Sequence, residues 1–105
     1  MKVGMLKVGS RTPWGKCDNV IEYPNGIVFC STPSHGGYHV PASLHKRIPE
    51  AYRTYAKSWS GSASWYEEDV AAMAVHIHFP EIFPNQNDEQ RAGYKISLDK
   101  YALKA

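Results

Sequence analysis

No stretch of this 105-residue chain approaches the ~20 consecutive apolar residues that span a bilayer, so no membrane partner is expected. The opening Met1-Lys2-Val3-Gly4-Met5-Leu6-Lys7 lacks the apolar core of a secretion signal, and the chain reads as cytoplasmic. Cysteine is scarce. Cys17 and Cys30 form no C-x-x-C pair, and in a reducing compartment both read as free thiols. Charge of one sign is also lacking: the net charge is +2, and the basic residues are scattered rather than gathered into a stripe. Nucleic-acid binding is therefore only weakly supported, because a dedicated binder carries a concentrated basic footprint. There are no repeats and no low-complexity tracts. Three Trp and seven Tyr exclude a disordered chain, and the length suits one domain spanning residues 1–105.

What is present reads as α+β: a small antiparallel N-terminal sheet packed against C-terminal helices. Val20, Ile21 and Tyr23 make one strand and Ile27-Val28-Phe29-Cys30 the returning one, with Pro24-Asn25-Gly26 as the hairpin turn. A tight turn pairs Tyr23 with Gly26 or Ile27. That brings Cys30 nearly opposite Asn19 and leaves Cys17 a diagonal away, at ~7–8 Å, too far for a disulfide. Tyr38-His39-Val40 alternates like a third short strand. Residues 41–63 connect, with a turn or two of helix interrupted by Pro49 and a Ser/Gly-rich loop over 58–64. Ser64-x-x-Glu67 spells a capping box, and Tyr66, Val70, Met73, Ala74 and Ile77 recur at helical spacing. This predicts one central, buried helix over about 65–79, ended by Pro80. A last helix is predicted from Asn87 or Asp88, although Tyr94, Ile96 and Leu98 also alternate like a strand.

The richest candidate chemistry lies in Thr32-Pro33-Ser34-His35-Gly36-Gly37-Tyr38. It sets an imidazole among hydroxyls and two glycines, on what reads as a turn after a strand. His35 is the candidate base or ligand, and Ser34, Gly36, Gly37 and Tyr38 are candidate binding residues. The second half of a site would be Glu67-Glu68-Asp69. The capping box accounts for Glu67 and the helix dipole favours acids there, so Glu68, the least explained by capping, and Asp69 are the candidate catalytic partners. His76-x-His78 would chelate on a strand but not on a helix, where the rings stand ~200° apart. A helix instead makes one of them a buried, hydrogen-bonded histidine and the other a surface imidazolium at the helix C-terminus. No ligand spacing calls for a cofactor. A divalent metal would have to use a composite of His35 with the carboxylates. Trp59 and Trp65 flank the Ser/Gly loop as candidate anchors for a partner, and Cys30 reads as core.

The strand ending Ser31-Thr32-Pro33-Ser34-His35-Gly36-Gly37, the later Trp65-Tyr66-Glu67-Glu68-Asp69 and the exit Phe79-Pro80-Glu81 together resemble a domain-of-unknown-function family. Its members are small proteins of phages, plasmids and other mobile elements. The resemblance covers roughly residues 14 to 84 and implies that genetic context, with no activity to carry over. His35, Gly36, Gly37, Glu67, Glu68 and Asp69 match its shared motifs.

Two functional readings follow. One is a small accessory protein that binds a host protein in the host cytoplasm, an inhibitor of host defence such as an anti-CRISPR being one form. The other is a small hydrolase or nuclease, metal-dependent or not, using His35 with Glu68 and Asp69. The second requires the turn after the hairpin to meet the N-terminus of the buried helix, where Glu68 and Asp69 are expected.

Overall fold

The computed structural model describes residues 6–62 and 64–103. The chain opens with a two-residue ladder, β1 (Arg11–Thr12) against β2 (Gly15–Lys16). A four-stranded antiparallel sheet follows, in the order β3 (Asn19–Glu22), β4 (Val28–Ser31), β5 (Gly36–His39), β6 (Trp65–Glu67). Helices α1 (Glu50–Ser60) and α2 (Ala72–His78) pack on it, and α3 (Asp88–Ala102) packs on α1 and α2. The α+β class and the Pro24-Asn25-Gly26 hairpin are as predicted.

Within the hairpin, Gly26 takes the positive φ the turn needs (+94°) and donates to Tyr23 O. The Asn25 side chain accepts from Ile27 N. Tyr23 N donates to Ile27 O, the wider of the two pairings considered, and this slides the register by one residue. Cys30 therefore faces Val20 rather than Asn19. Both cysteines are buried free thiols in one cluster with Trp65, with Trp14 packed against it. Burial first, and then the neighbouring Cys17 thiol, push the Cys30 thiol up to about 12.

The Gly36-Gly37 pair makes no corner. Both residues lie inside β5, in register with Ser31 and Cys30 on β4, and Gly37 also faces Glu67 on β6. Neither has a positive φ. What glycine supplies is room. A Cβ on Gly37 would lie 2.5 Å from the Trp14 ring and 2.7 Å from Tyr66 O, so the indole rests directly on the strand backbone. The turn itself is closed earlier by Thr32, whose buried hydroxyl donates to His35 O (2.6 Å) and accepts from His35 N (3.1 Å).

The predicted helix over 65–79 begins late. Residues 65–67 form β6, a turn occupies 68–71, and only Ala72–His78 is α-helix. The capping box is not made. Ser64 Oγ instead sits 3.3 Å from His45 Nε2, and Glu67 turns its carboxylate onto the next turn. Backbone pairing to β5 overrides the local pattern here: Trp65 and Tyr66 suit a strand as well as a helix, and the open edge of β5 offers them partners. Of the apolar residues expected of that helix, Tyr66 and Ala74 are buried, while Val70, Met73 and Ile77 are half-buried against the same core, which also encloses Val75 and Phe79.

Other differences are smaller. Residues 42–47 form a 3-10 helix, and α1 runs a full 11 residues beyond Pro49, which precedes it as a tolerated N-terminal proline. Gly61 ends it in the left-handed conformation (φ +82°). The final helix starts as predicted. Asn87 accepts from Gln90 N while Gln90 reaches back to Asn87 N, so the molecule's capping box stands here.

The two glycine types yield opposite expectations. Gly37→Ala should lower the unfolding free energy by about 2 kcal/mol, since the Tyr66 backbone and the Trp14 ring cannot both retreat. Gly93→Ala, exposed within α3 with nothing within 4 Å of its added Cβ, should raise it by about 0.5–1 kcal/mol. Urea denaturation of both variants checks the pair.

Candidate functional site

The site follows from strand parity. Side chains alternate across a strand, and Gly37 pairs with Glu67. Continuing that antiparallel register by two residues brings His35 opposite Asp69. His35, Glu67 and Asp69 therefore project from one side of the sheet, on the face that carries Trp65, Cys30 and Trp14. One imidazole nitrogen and one oxygen from each carboxylate lie within 4.8 Å of one another.

The same parity moves Glu68 to the other side, along with Tyr66. Its backbone N–H donates to Gly36 O (2.9 Å), and its carboxylate reaches round to lie 3.8 Å from His35 Nδ1. Of the residues singled out from the sequence, His35, Glu68 and Asp69 are thus brought together. Glu67, set aside as a cap, joins the cluster in the place expected of Glu68. The signal that finds Glu67 is the spacing of Glu67 and Asp69, which share a face on a strand and not on a helix.

Glu67 is held firmly. Its carboxylate accepts from Asp69 N (3.0 Å) and Val70 N (3.3 Å), which closes the turn after β6. Burial raises its pKa most, the adjacent Asp69 carboxylate raises it further, and the two backbone N–H groups pull it down without cancelling the rise. An acid with one carboxylate neighbour and partial burial gains from a nearby cation.

The cluster forms one flank of a cleft of ≈470 Å³. Trp14, Tyr55, Trp59, Val70 and Tyr101 complete its lining. The rings of Tyr55 and Trp59 stand 6.4 Å apart, and those of Tyr55 and Tyr101 stand 6.5 Å apart, so α1 and α3 present one aromatic wall. Trp59 is exposed as expected of an anchor. Trp65 is buried against Trp14 and His39, and Tyr38 is buried among Phe29, Phe83 and His76. Gly36 and Gly37 are buried in β5, while Ser34 is exposed on the turn with its hydroxyl 3.4 Å from Trp14 O.

The remaining histidines stand apart. His76 and His78 lie on α2 and do not share a site. His76 Nδ1 is 3.2 Å from the Gln86 side chain and its ring lies on Phe83, whereas His78 lies beside Tyr52. His78 is not the imidazolium expected at a helix C-terminus. Burial and then the charges of Lys95 and Arg47 lower its pKa, and its buried Nε2 has no partner. Burial likewise lowers His39, with His45 adding to it, and His76, where Gln86 opposes it.

These three histidines make stability pH-dependent. Each has a folded pKa below its ordinary value of about 6.5, so in acid the unfolded chain binds more protons than the folded one. Stability is full above about 6.5 and falls as the pH drops below it, by at most about 1.4 kcal/mol per pH unit for each histidine. Glu67, shifted upward, opposes this only nearer the carboxylate range. The urea midpoint is expected to fall steadily from pH 7.5 to 5.5, and His39→Gln with His78→Gln to flatten the slope.

A family model described as a domain of unknown function (DUF7007) matches residues 7–101, and the chain belongs to that family. No curated protein and no solved structure matches it.

Proposed function

We propose that this DUF7007 domain is a divalent-metal-dependent hydrolase whose metal is held by His35, Glu67 and Asp69. The observation that carries the reading is the convergence of these three ligand atoms within 4.8 Å on the flank of a cleft. Ligands on one first-row metal, each at ~2.1 Å, stand ~3–4 Å apart, so closure needs a contraction of about 1 Å. The exposed His35 and Asp69 side chains can supply it. One imidazole with two carboxylates leaves coordination positions open for water and substrate, a donor set suited to Mn²⁺, Fe²⁺ or Zn²⁺. A metal there would supply Lewis acidity and acidify a bound water. Of the protein's own groups, Glu67 is oriented by two backbone N–H donors, and Glu68 lies within reach of His35 Nδ1 to orient the ring.

Calorimetric titration with Mn²⁺ or Zn²⁺ is expected to give one site per chain. Asp69→Asn should weaken it by roughly tenfold or more, and His35→Ala should abolish it. Heat signals that are unchanged in both variants would refute the reading.

A second reading is favoured by the apolar surface at the C-terminal ends of α1 and α3. Trp59 is exposed there on α1 and Tyr101 on α3, while Ile96, mid-way along α3, and Leu103, just beyond its end, are exposed seven residues apart on another side. In this reading the chain is a phage or mobile-element accessory protein that binds a host protein in the cytoplasm, a defence complex being the target expected. Its mark would be loss of a host partner on Ile96→Glu with Leu103→Glu. Nucleic acid would be the ligand only if the chain held to heparin well above moderate salt.

A further inference from the structure

The cleft beside His35 is far larger than an ion needs. Its ≈470 Å³ falls in the range of small-molecule pockets. Its chemistry is one-sided. Among the described residues, Glu67 and Asp69 contribute negative charge and neither lysine nor arginine lines it. An anion would meet two carboxylates with nothing to offset them. The rest of the lining is mostly aromatic. Trp14 comes from the β1–β2 turn and is fixed against Trp65 with ring centroids 5.7 Å apart. Tyr55, Trp59 and Tyr101 come from the helices. Trp59 and Tyr101 keep 63% and 54% of their surface in water, a costly display for rings of this size unless something covers them.

Aromatic faces carry negative quadrupole potential and draw cations, tryptophan most strongly. Carboxylates at the base of the same cleft add to that field. A strongly hydrated primary ammonium would have to give up water for hydrogen bonds that the rings cannot replace. An alkylated ammonium has no such hydrogen bonds to lose, and its methyl groups pack on ring faces. The position of Glu67 agrees with this: it lines the same cleft as Tyr55, so ring wall and carboxylate belong to one space.

We propose that the cleft binds an alkylated ammonium group, seated on Tyr55, Trp59 and Tyr101 and facing Glu67 and Asp69. The ammonium draws on the same Glu67 and Asp69 charge that a bound metal would neutralise, so this goes beyond the metal reading: the metal-free cleft takes the ammonium, and Mn²⁺ competes with it. The group can reach the cleft on a free choline-like molecule or on a methylated lysine of a peptide. In both cases the recognising chemistry is the same.

The test is a titration of the whole chain, followed by tryptophan fluorescence, with choline, with a trimethyllysine peptide, and with 3,3-dimethylbutanol, the uncharged carbon isostere of choline. Saturable binding of choline is expected if the source is a small molecule, and of the peptide alone if it is a modified protein. In either case the isostere should bind roughly tenfold more weakly than the cation that binds, or not at all. Trp59→Ala and Tyr101→Ala, both at exposed positions, should weaken the cation by roughly tenfold while leaving Mn²⁺ binding intact. His35→Ala should do the reverse, so failure of the metal site and failure of the ammonium site are separable. Equal binding of choline and its isostere, unchanged affinity in the Trp59 variant, or no binding of either cation up to about 10 mM would overturn the proposal.

Discussion

The pairing of β5 with β6 across Gly37 and Glu67 is the contact on which the rest of the molecule depends. It adds the fourth strand to the sheet and recruits Tyr66 to the core. It also decides which residues of the 64–69 segment share a side with His35. Shifted by one residue, the same segment would present Tyr66 and Glu68 to the cleft and bury Glu67, at the cost of a buried carboxylate and an exposed tyrosine. The register is held by steric fit as well as by hydrogen bonds. At Gly37 the absence of a side chain lets Trp14 lie on the strand, and Trp14 then forms part of the cleft lining.

The Glu67 carboxylate carries two duties that support each other. It closes the turn leading into α2 by accepting from Asp69 N and Val70 N, and it stands in the cluster with His35. The turn places Asp69 and orients Glu67, so the arrangement of the acids is inherited from the backbone rather than left to free side chains. Burial and the Asp69 charge push Glu67 upward.

The hairpin was legible because Pro-Asn-Gly has one dominant structural meaning, whereas the Asn87–Gln90 capping box that starts the last helix shows itself only in the structure. The meeting of His35 with the acidic segment was legible only as a question, since nothing local shows which strand edges pair. The helix over 65–79 was misread in its first half for a related reason. Ser64 and Glu67 satisfy a capping pattern and the apolar positions fit a helical period, yet a long-range partner, β5, outweighed both. The error carried a chemical consequence: treated as a cap, Glu67 dropped out of the candidate site and Glu68 took its place. The glycine pair was misread as a corner because glycine marks either a turn or a close approach, and which of the two applies depends on Trp14, more than twenty residues away.

The account's central claim is that strand pairing assembles His35, Glu67 and Asp69 into one cation site. Titration of the ¹⁵N-labelled chain with paramagnetic Mn²⁺ tests it most directly. The amide signals of His35, Glu67, Asp69 and Val70 are predicted to broaden first and together, at low metal-to-protein ratios. Broadening centred instead on the acidic start of α3, at Asp88 and Glu89, or spread evenly over the surface carboxylates, would contradict the claim.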